Sequence, residues 1–245
     1  RLPSLIARGK QSLMCAPEGL PYKHACGIGL LGGTFDPVHV GHIALAEQAL
    51  KVLNLTRVDF LPAGNPWQKH PLTPAVDRVR MLELAVAGKP GLAVNLCEVN
   101  RPGPTYTVDT LRQMRREVGP ATPLVLILGA DQWENLQTWK AWDSFLDYAD
   151  IAVSTRDGKT PTACPLVASW AAGRIKPAHA LSSAPCGYVA FFSIPPTSAS
   201  SSKIRTILKG NADRDTESVL DTWLCPDVKA YIRDHHLYMD QSNNG

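Results

Sequence analysis

The chain has 245 residues, 44% of them apolar, and a formal net charge of +3. That length suits one α/β domain with insertions, and the apolar share builds a core that a disordered chain lacks. The basic excess is small and unclustered, which excludes a nucleic-acid footprint, and no apolar run approaches the ~20 residues of a membrane span.

In chain order, residues 1–25 are basic but broken by Pro3, Pro17, Gly19 and Pro21. They lack the uninterrupted apolar core of a signal peptide and are expected to form a mobile arm. Residues 26–240 are expected as a single domain, with 241–245 as a frayed polar tail. Strand-like runs fall at 27–31, 57–61, 92–97, 124–128, 150–154 and 188–194. Helical periodicity falls at 41–53, 75–87, 107–118, 138–147, 165–173, 200–209 and 226–235. The alternation predicts an α/β fold: a Rossmann-like, doubly wound, mainly parallel sheet with helices on both faces. The stretch 157–187 has the weakest periodicity and is expected as a variable helical insertion. Six cysteines (Cys15, Cys26, Cys97, Cys164, Cys186, Cys225) form neither a C-x-x-C pair nor a zinc spacing. They are expected as reduced thiols of a cytoplasmic protein.

The most informative segment is Gly32-Gly33-Thr34-Phe35-Asp36-Pro37-Val38-His39-Val40-Gly41-His42. An apolar strand precedes it, and a helix follows whose Ile43, Ala46, Leu50 and Leu53 share one face. Such a strand-to-helix turn presents unpartnered N–H groups and the positive end of a helix dipole, which suits phosphate. Gly32 and Gly33 let the backbone approach a ligand. His39 and His42, three apart, project from one side of the first turn and can donate hydrogen bonds to a polyphosphate. No Gly-Lys-Ser/Thr follows, so this is not a P-loop, and Gly-x-Gly-x-x-Gly is missing.

A second string, Ser198-Ala199-Ser200-Ser201-Ser202-Lys203-Ile204-Arg205, leads hydroxyls into a helix. Serines there either cap N–H groups or hold phosphate beside Lys203 and Arg205; the string alone is consistent with both. Three further strings lie on strand-to-helix connections. The first is Leu61-Pro62-Ala63-Gly64-Asn65-Pro66-Trp67-Gln68-Lys69. The second is Arg101-Pro102-Gly103-Pro104-Thr105-Tyr106-Thr107-Val108-Asp109-Thr110-Leu111. The third runs from Leu128 to Trp139 through Gly129, Asp131 and Trp133.

The glycine–histidine turn resembles the signature of the His-x-Gly-His nucleotidyltransferase superfamily. The serine string resembles that superfamily's second signature, with Ala199 in place of Ile and Ser202 in place of Thr. With the other three strings, and the ending Pro226 to Ile232, the chain from about residue 27 to residue 239 resembles the bacterial nicotinate-nucleotide adenylyltransferases. The resemblance implies adenylyl transfer from ATP to nicotinate mononucleotide in NAD biosynthesis, releasing pyrophosphate. It implies an ATP site of Gly32, Gly33, Thr34, Phe35, Gly129, Asp131, Ser201, Ser202 and Arg205, and catalytic donors His39, His42, Lys69 and Arg205. It also implies an acceptor site of Thr107, Trp139, Asp131 and Lys69. There, the helix start at Thr107 would meet the nicotinate carboxylate, Trp139 would stack on the pyridine, and Asp131 would take ribose hydroxyls. Lys69 follows Trp67-Gln68 where the family commonly has Pro-His. Trp139 also fits ordinary packing against Trp142, and Trp133 and Trp142 fit a core or rim role.

The acceptor phosphate is already ionised and nucleophilic, so no strong general base is expected. Mg²⁺ is expected to ride mainly on the ATP phosphates, with no carboxylate cage from the protein. ATP and nicotinate mononucleotide are the expected partners, with neither nucleic acid nor membrane. Two alternatives stay open: a sister enzyme such as pantetheine-phosphate adenylyltransferase, and a catalytically silent nucleotide-sensing module.

Overall fold

The computed structural model describes residues 27–64, 73–155, 159–210 and 214–239. The expected arm, the expected tail and Lys69 lie outside those residues. The strands are β1 (Gly27–Gly33), β2 (Leu55–Pro62), β3 (Leu92–Val94), β4 (Leu124–Gly129), β5 (Asp150–Thr155) and β6 (Val189–Ser193). They form one sheet in the order β3-β2-β1-β4-β5-β6, and every pairing is parallel. From β1 the chain winds outward to β2 and β3, then returns to lay β4 on β1's other side. The switch point therefore lies between the carboxyl ends of β1 and β4, where open α/β sheets bind ligands.

The helices are α1 (Val40–Val52), α2 (Ala75–Val86), α3 (Thr107–Val118), α4 (Ala130–Glu134), α5 (Pro165–Ala171), α6 (Ser201–Lys209), α7 (Arg214–Trp223) and α8 (Pro226–Asp234). Alternate strand residues feed opposite faces, as the period of a strand requires. Leu31 and Ile127 pack with Ile43, Met81, Ile204 and Ile232 on one side. Leu30 and Leu126 pack with Leu111, Met114, Trp133 and Phe145 on the other. Truncating one of these fully buried leucines to Ala costs about 2–5 kcal/mol. No helix among the described residues is long and apolar enough to cross a membrane.

Two expected elements differ. The strand over 92–97 stops at Val94, because Asn95 Oδ1 accepts the Cys97 N–H at 3.0 Å and turns the chain. The helix over 138–147 is two 3₁₀ segments, Leu136–Thr138 and Trp142–Asp147, parted by an extended Trp139 and a left-handed Ala141 at φ 50°. Thr138 and Ser144 hydroxyls donate to the carbonyls three residues back, at 2.7 and 2.8 Å, competing with an α-helical ladder. Periodicity misses α7, since Leu220 is its one buried residue and its apolar stripe is thin.

Candidate active site

The turn after β1 is built around its two histidines. His39 is the N-cap of α1: its Nδ1 accepts the Gly41 N–H at 3.1 Å. The His39 backbone N–H donates in turn to His42 Nδ1 at 3.2 Å. The two side chains thus form a reciprocal capping box. With its Nδ1 acting as an acceptor, each ring, when neutral, carries its proton on Nε2. The rings lie 3.8 Å apart between centroids, tilted by 31°. Burial, and secondarily the His39 charge, hold His42 well below the ordinary imidazole range. His42 is therefore a neutral hydrogen-bond donor near pH 7.

Side chains from distant elements hold this turn in place. Arg78 on α2, fully buried, donates to Thr34 O and Ala63 O at 2.8 Å each and to Thr73 O at 3.2 Å. Arg205 donates to Asp36 O at 2.6 Å and Ser201 Oγ to Pro37 O at 2.9 Å, tying α6 to the turn. Tyr238 donates to Asp36 Oδ1 at 2.6 Å. Phe35 is left-handed at φ 52° and buried, its ring edge-on to His42 and Phe60 at 5.1 and 5.5 Å.

A cleft of about 930 Å³ opens between the carboxyl ends of β1 and β4. His39, His42, Gly32, Gly33, Thr34 and Phe35 line one side. Gly129 and Asp131 line it at the end of β4, and Thr107 and Trp139 line it too. Ser201, Ser202 and Arg205 approach from the start of α6. Every residue that the resemblance assigns to the ATP, catalytic or acceptor sites therefore lines one cleft, apart from Lys69, which lies outside the described residues. The start of α3 at Thr107 has no side-chain cap, so its dipole end is open to an anion. Trp139 lies outside any helix, against Phe145 at 6.3 Å, whereas Trp142 packs on Trp170 and Trp133 is buried. The carboxylate of Asp131 takes the space beside Gly129, 2.8 Å from where a Cβ would stand.

Some assignments change in detail. The Ser201 hydroxyl and one Arg205 nitrogen are already spent on the turn, so α6 positions the histidines as well as facing the cleft. Ser200 caps α6 by accepting the Lys203 N–H. Gly33 has a packing reason as well: a Cβ there would stand 2.8 Å from the Phe35 ring.

Sequence reasoning misses several contributors. Arg78 shares the buried stripe of α2 with Met81, Leu82 and Ala85, and a charge on an apolar stripe is a usable signal. Glu98, buried at 7% exposure, lines the cleft with Thr105, Thr110 and Ser154; it follows directly on the run 92–97, which periodicity reads as strand beyond its end at Val94. Tyr238 carries no local signal.

This fold and crevice define a nucleotidyl-transfer class, and a family model described as cytidylyltransferase-like matches residues 30–207. A Bordetella parapertussis protein named a probable nicotinate-nucleotide adenylyltransferase is 42% identical over 214 residues, covering 86% of this chain and 97% of that one. A Marinomonas protein of the same name is 36% identical over 86% of this chain and 94% of its own. The chain belongs to the nicotinate-nucleotide adenylyltransferase family. Its fold matches a Plasmodium falciparum nicotinic acid mononucleotide adenylyltransferase solved in complex with NaAD. The TM-score is 0.66 at 17% identity, covering 87% of this chain and 97% of that one.

Proposed function

We infer that this protein transfers the adenylyl group of ATP to the 5′-phosphate of nicotinate mononucleotide, giving nicotinate adenine dinucleotide and pyrophosphate. One observation carries the reading: the histidine turn, the open start of α3 beside Trp139, and the start of α6 converge on one cleft.

An acceptor phosphate oxygen attacks the α-phosphorus of ATP in line; the new P–O bond forms as the bond to the β-phosphate bridging oxygen breaks. The electron pair leaves with pyrophosphate. Catalysis is alignment plus stabilisation of the charge that builds on the α-phosphate and the leaving group. The Nε2–H groups of His39 and His42 donate to those oxygens. Arg205, with five donors of which one holds Asp36, has others for the β- and γ-phosphates. Ser202, exposed at the start of α6, adds a hydroxyl. Lys69 is assigned to the phosphates on sequence alone. The acceptor's carboxylate meets the start of α3 at Thr107, its ring stacks on Trp139, and Asp131 accepts from ribose.

The donor set consists of imidazoles, hydroxyls and a guanidinium. It fits Mg²⁺ carried in on the triphosphate, with phosphate oxygens and water as ligands. When bound, the ion would neutralise charge on the leaving pyrophosphate. Among the described residues no group of three His, Cys, Asp or Glu side chains gathers as a cage.

The test is pyrophosphate release from ATP with three acceptors: nicotinate mononucleotide, nicotinamide mononucleotide and phosphopantetheine. Highest efficiency with the first is expected. Preference for phosphopantetheine would move the chain to a sister activity, and nucleotide binding without release would make it a sensor.

A further inference from the structure

Glu98 is a buried carboxyl facing the cleft, and the transfer chemistry above does not use it. The turn after β3 places it there, and the loop after β2 presses on its backbone. A Cβ at Gly64 would stand 2.4 Å from the Glu98 carbonyl oxygen. That approach fixes the residue's position independently of its side chain. Glu98 Oε1 accepts from Thr110 Oγ1 at 2.8 Å. Thr110 Oγ1 in turn accepts from Arg101 Nη1 at 2.9 Å, and Arg101 Nη2 reaches Gln113. The guanidinium is thus engaged by the threonine and the glutamine rather than by the Glu98 carboxylate itself. Burial pushes the carboxyl up to about 7, against the Thr110 bond and the Arg101 charge, which pull it down.

Thr110 lies three residues beyond Thr107, on the same face of α3. Both line the cleft with Glu98. Thr110, whose hydroxyl holds the Glu98 carboxyl, thus stands about one helical turn, ~5 Å, along α3 from its start at Thr107. Two ionised carboxylates sharing that end of the cleft repel appreciably. We propose that Glu98 is a specificity-determining residue of the acceptor site: uncharged, its carboxyl admits an acceptor bearing an anionic ring substituent, and ionised, it repels one. The inference rests on the acceptor assigned above.

The other groups facing Glu98 do not imitate this behaviour near neutrality. On its own turn, Cys97 is pushed up to about 11 by burial, and Arg101 is held by Thr110 and Gln113. On α3, Thr110 and Gln113 do not titrate, and Glu117 is exposed at the far end, taken by Gln113 Nε2. The loop after β2 contributes the backbone of Gly64. The second ionisation of the acceptor's own phosphate, near pH 6, is common to acid and amide acceptors and cancels between them.

The experiment is titration calorimetry of the full chain with nicotinate and nicotinamide mononucleotides, from about pH 6 to about pH 8.5, in buffers of different ionisation enthalpy. The ratio of the two Kd values should climb roughly tenfold against the acid across that range. Binding of the acid above neutrality should take up a proton that binding of the amide does not. Glu98→Gln, permanently neutral, should flatten the ratio and abolish the extra proton. Thr110→Val removes a bond that favours the ionised form, so the climb should move to higher pH; this variant carries the test if Glu98→Gln does not fold. A flat ratio in the wild type, or an unchanged slope in Glu98→Gln, overturns the role of Glu98 while leaving the acceptor assignment standing. Failure of both mononucleotides to bind or to release pyrophosphate overturns the assignment itself, and this inference with it.

Discussion

Gly32 and Gly33 end β1 side by side, and one added methyl group separates their jobs. A Cβ at Gly32 meets nothing within 4 Å; it projects into the cleft that Gly32 lines. Neither residue is among the glycines with positive φ, so Ala fits the backbone at both. Gly32→Ala should therefore leave stability unchanged or raise it slightly, by about 0.4–1 kcal/mol through the unfolded chain. Its methyl should occupy ligand space and weaken ATP binding about tenfold or more. Gly33→Ala should behave in the opposite way. Its Cβ would stand 2.8, 3.0 and 3.1 Å from three atoms of the Phe35 ring. That ring has little room to yield: it is buried at 3% exposure, flanked by His42 and Phe60, on a backbone already left-handed. Overpacking of this kind costs about 1–3 kcal/mol. For a domain of this size that lowers Tm by roughly 2–12 °C. Because Phe35 abuts His42, turnover should fall as well. Differential scanning calorimetry and ATP titration of both variants decide the matter. A stable Gly33→Ala, or a Gly32→Ala that binds ATP normally, would refute the division.

Three further outcomes are expected. His39→Ala and His42→Ala should each lower turnover at least ~10²-fold in a pyrophosphate assay while circular dichroism stays native, as for loss of a charge-stabilising donor; near-normal turnover removes that histidine from the mechanism. Tyr238→Phe deletes the donor to Asp36, which should cost about 1.5–3 kcal/mol in chemical denaturation, as for a bond to a charged group, and depress kcat more than it raises KM for ATP. Asp150 is raised to about 7, chiefly by burial, above its unfolded value near ~3.9. A folded state that holds its proton more tightly is favoured below the unfolded value and loses that advantage as pH rises through about 7. Asp150→Asn keeps an acceptor for the Tyr188 N–H, so its Tm relative to wild type should rise between acid and alkaline pH; a constant difference would count against the burial argument.

How much was legible in the sequence depended on whether a residue's job is local. The β1 turn is local: glycines, a proline and two histidines spaced for one helical turn imply a phosphate-facing strand-to-helix junction before any coordinates. The doubly wound, mainly parallel class of the sheet was accessible too, because strand-like runs alternate with helical ones. Arg78, Glu98 and Tyr238 act across the fold: Arg78 reaches Thr34 and Ala63 as well as nearby Thr73, Glu98 meets Thr110 and Tyr238 meets Asp36, so most of their partners lie outside any window of ten residues. The 138–147 segment failed differently. Its apolar spacing was helical, but hydroxyls of Thr138 and Ser144 bound nearby carbonyls, and the break they accompany leaves Trp139 extended at the cleft.

The same contacts explain why two signature strings far apart in sequence work as one device. The α6 serine string and the β1 turn meet through Arg205–Asp36 and Ser201–Pro37. A triphosphate seated between them would therefore contact groups already fixed relative to one another. Holding donors before the substrate arrives lowers the reorganisation needed as charge develops. Tyr238 and Arg78 extend this outward by anchoring the turn to the C-terminal segment and to α2. In this arrangement the groups that face the phosphates are few and neutral or cationic. The buried charges beside them, Arg78 and Asp36, are satisfied within the protein and serve to hold the histidines in register with the start of α6.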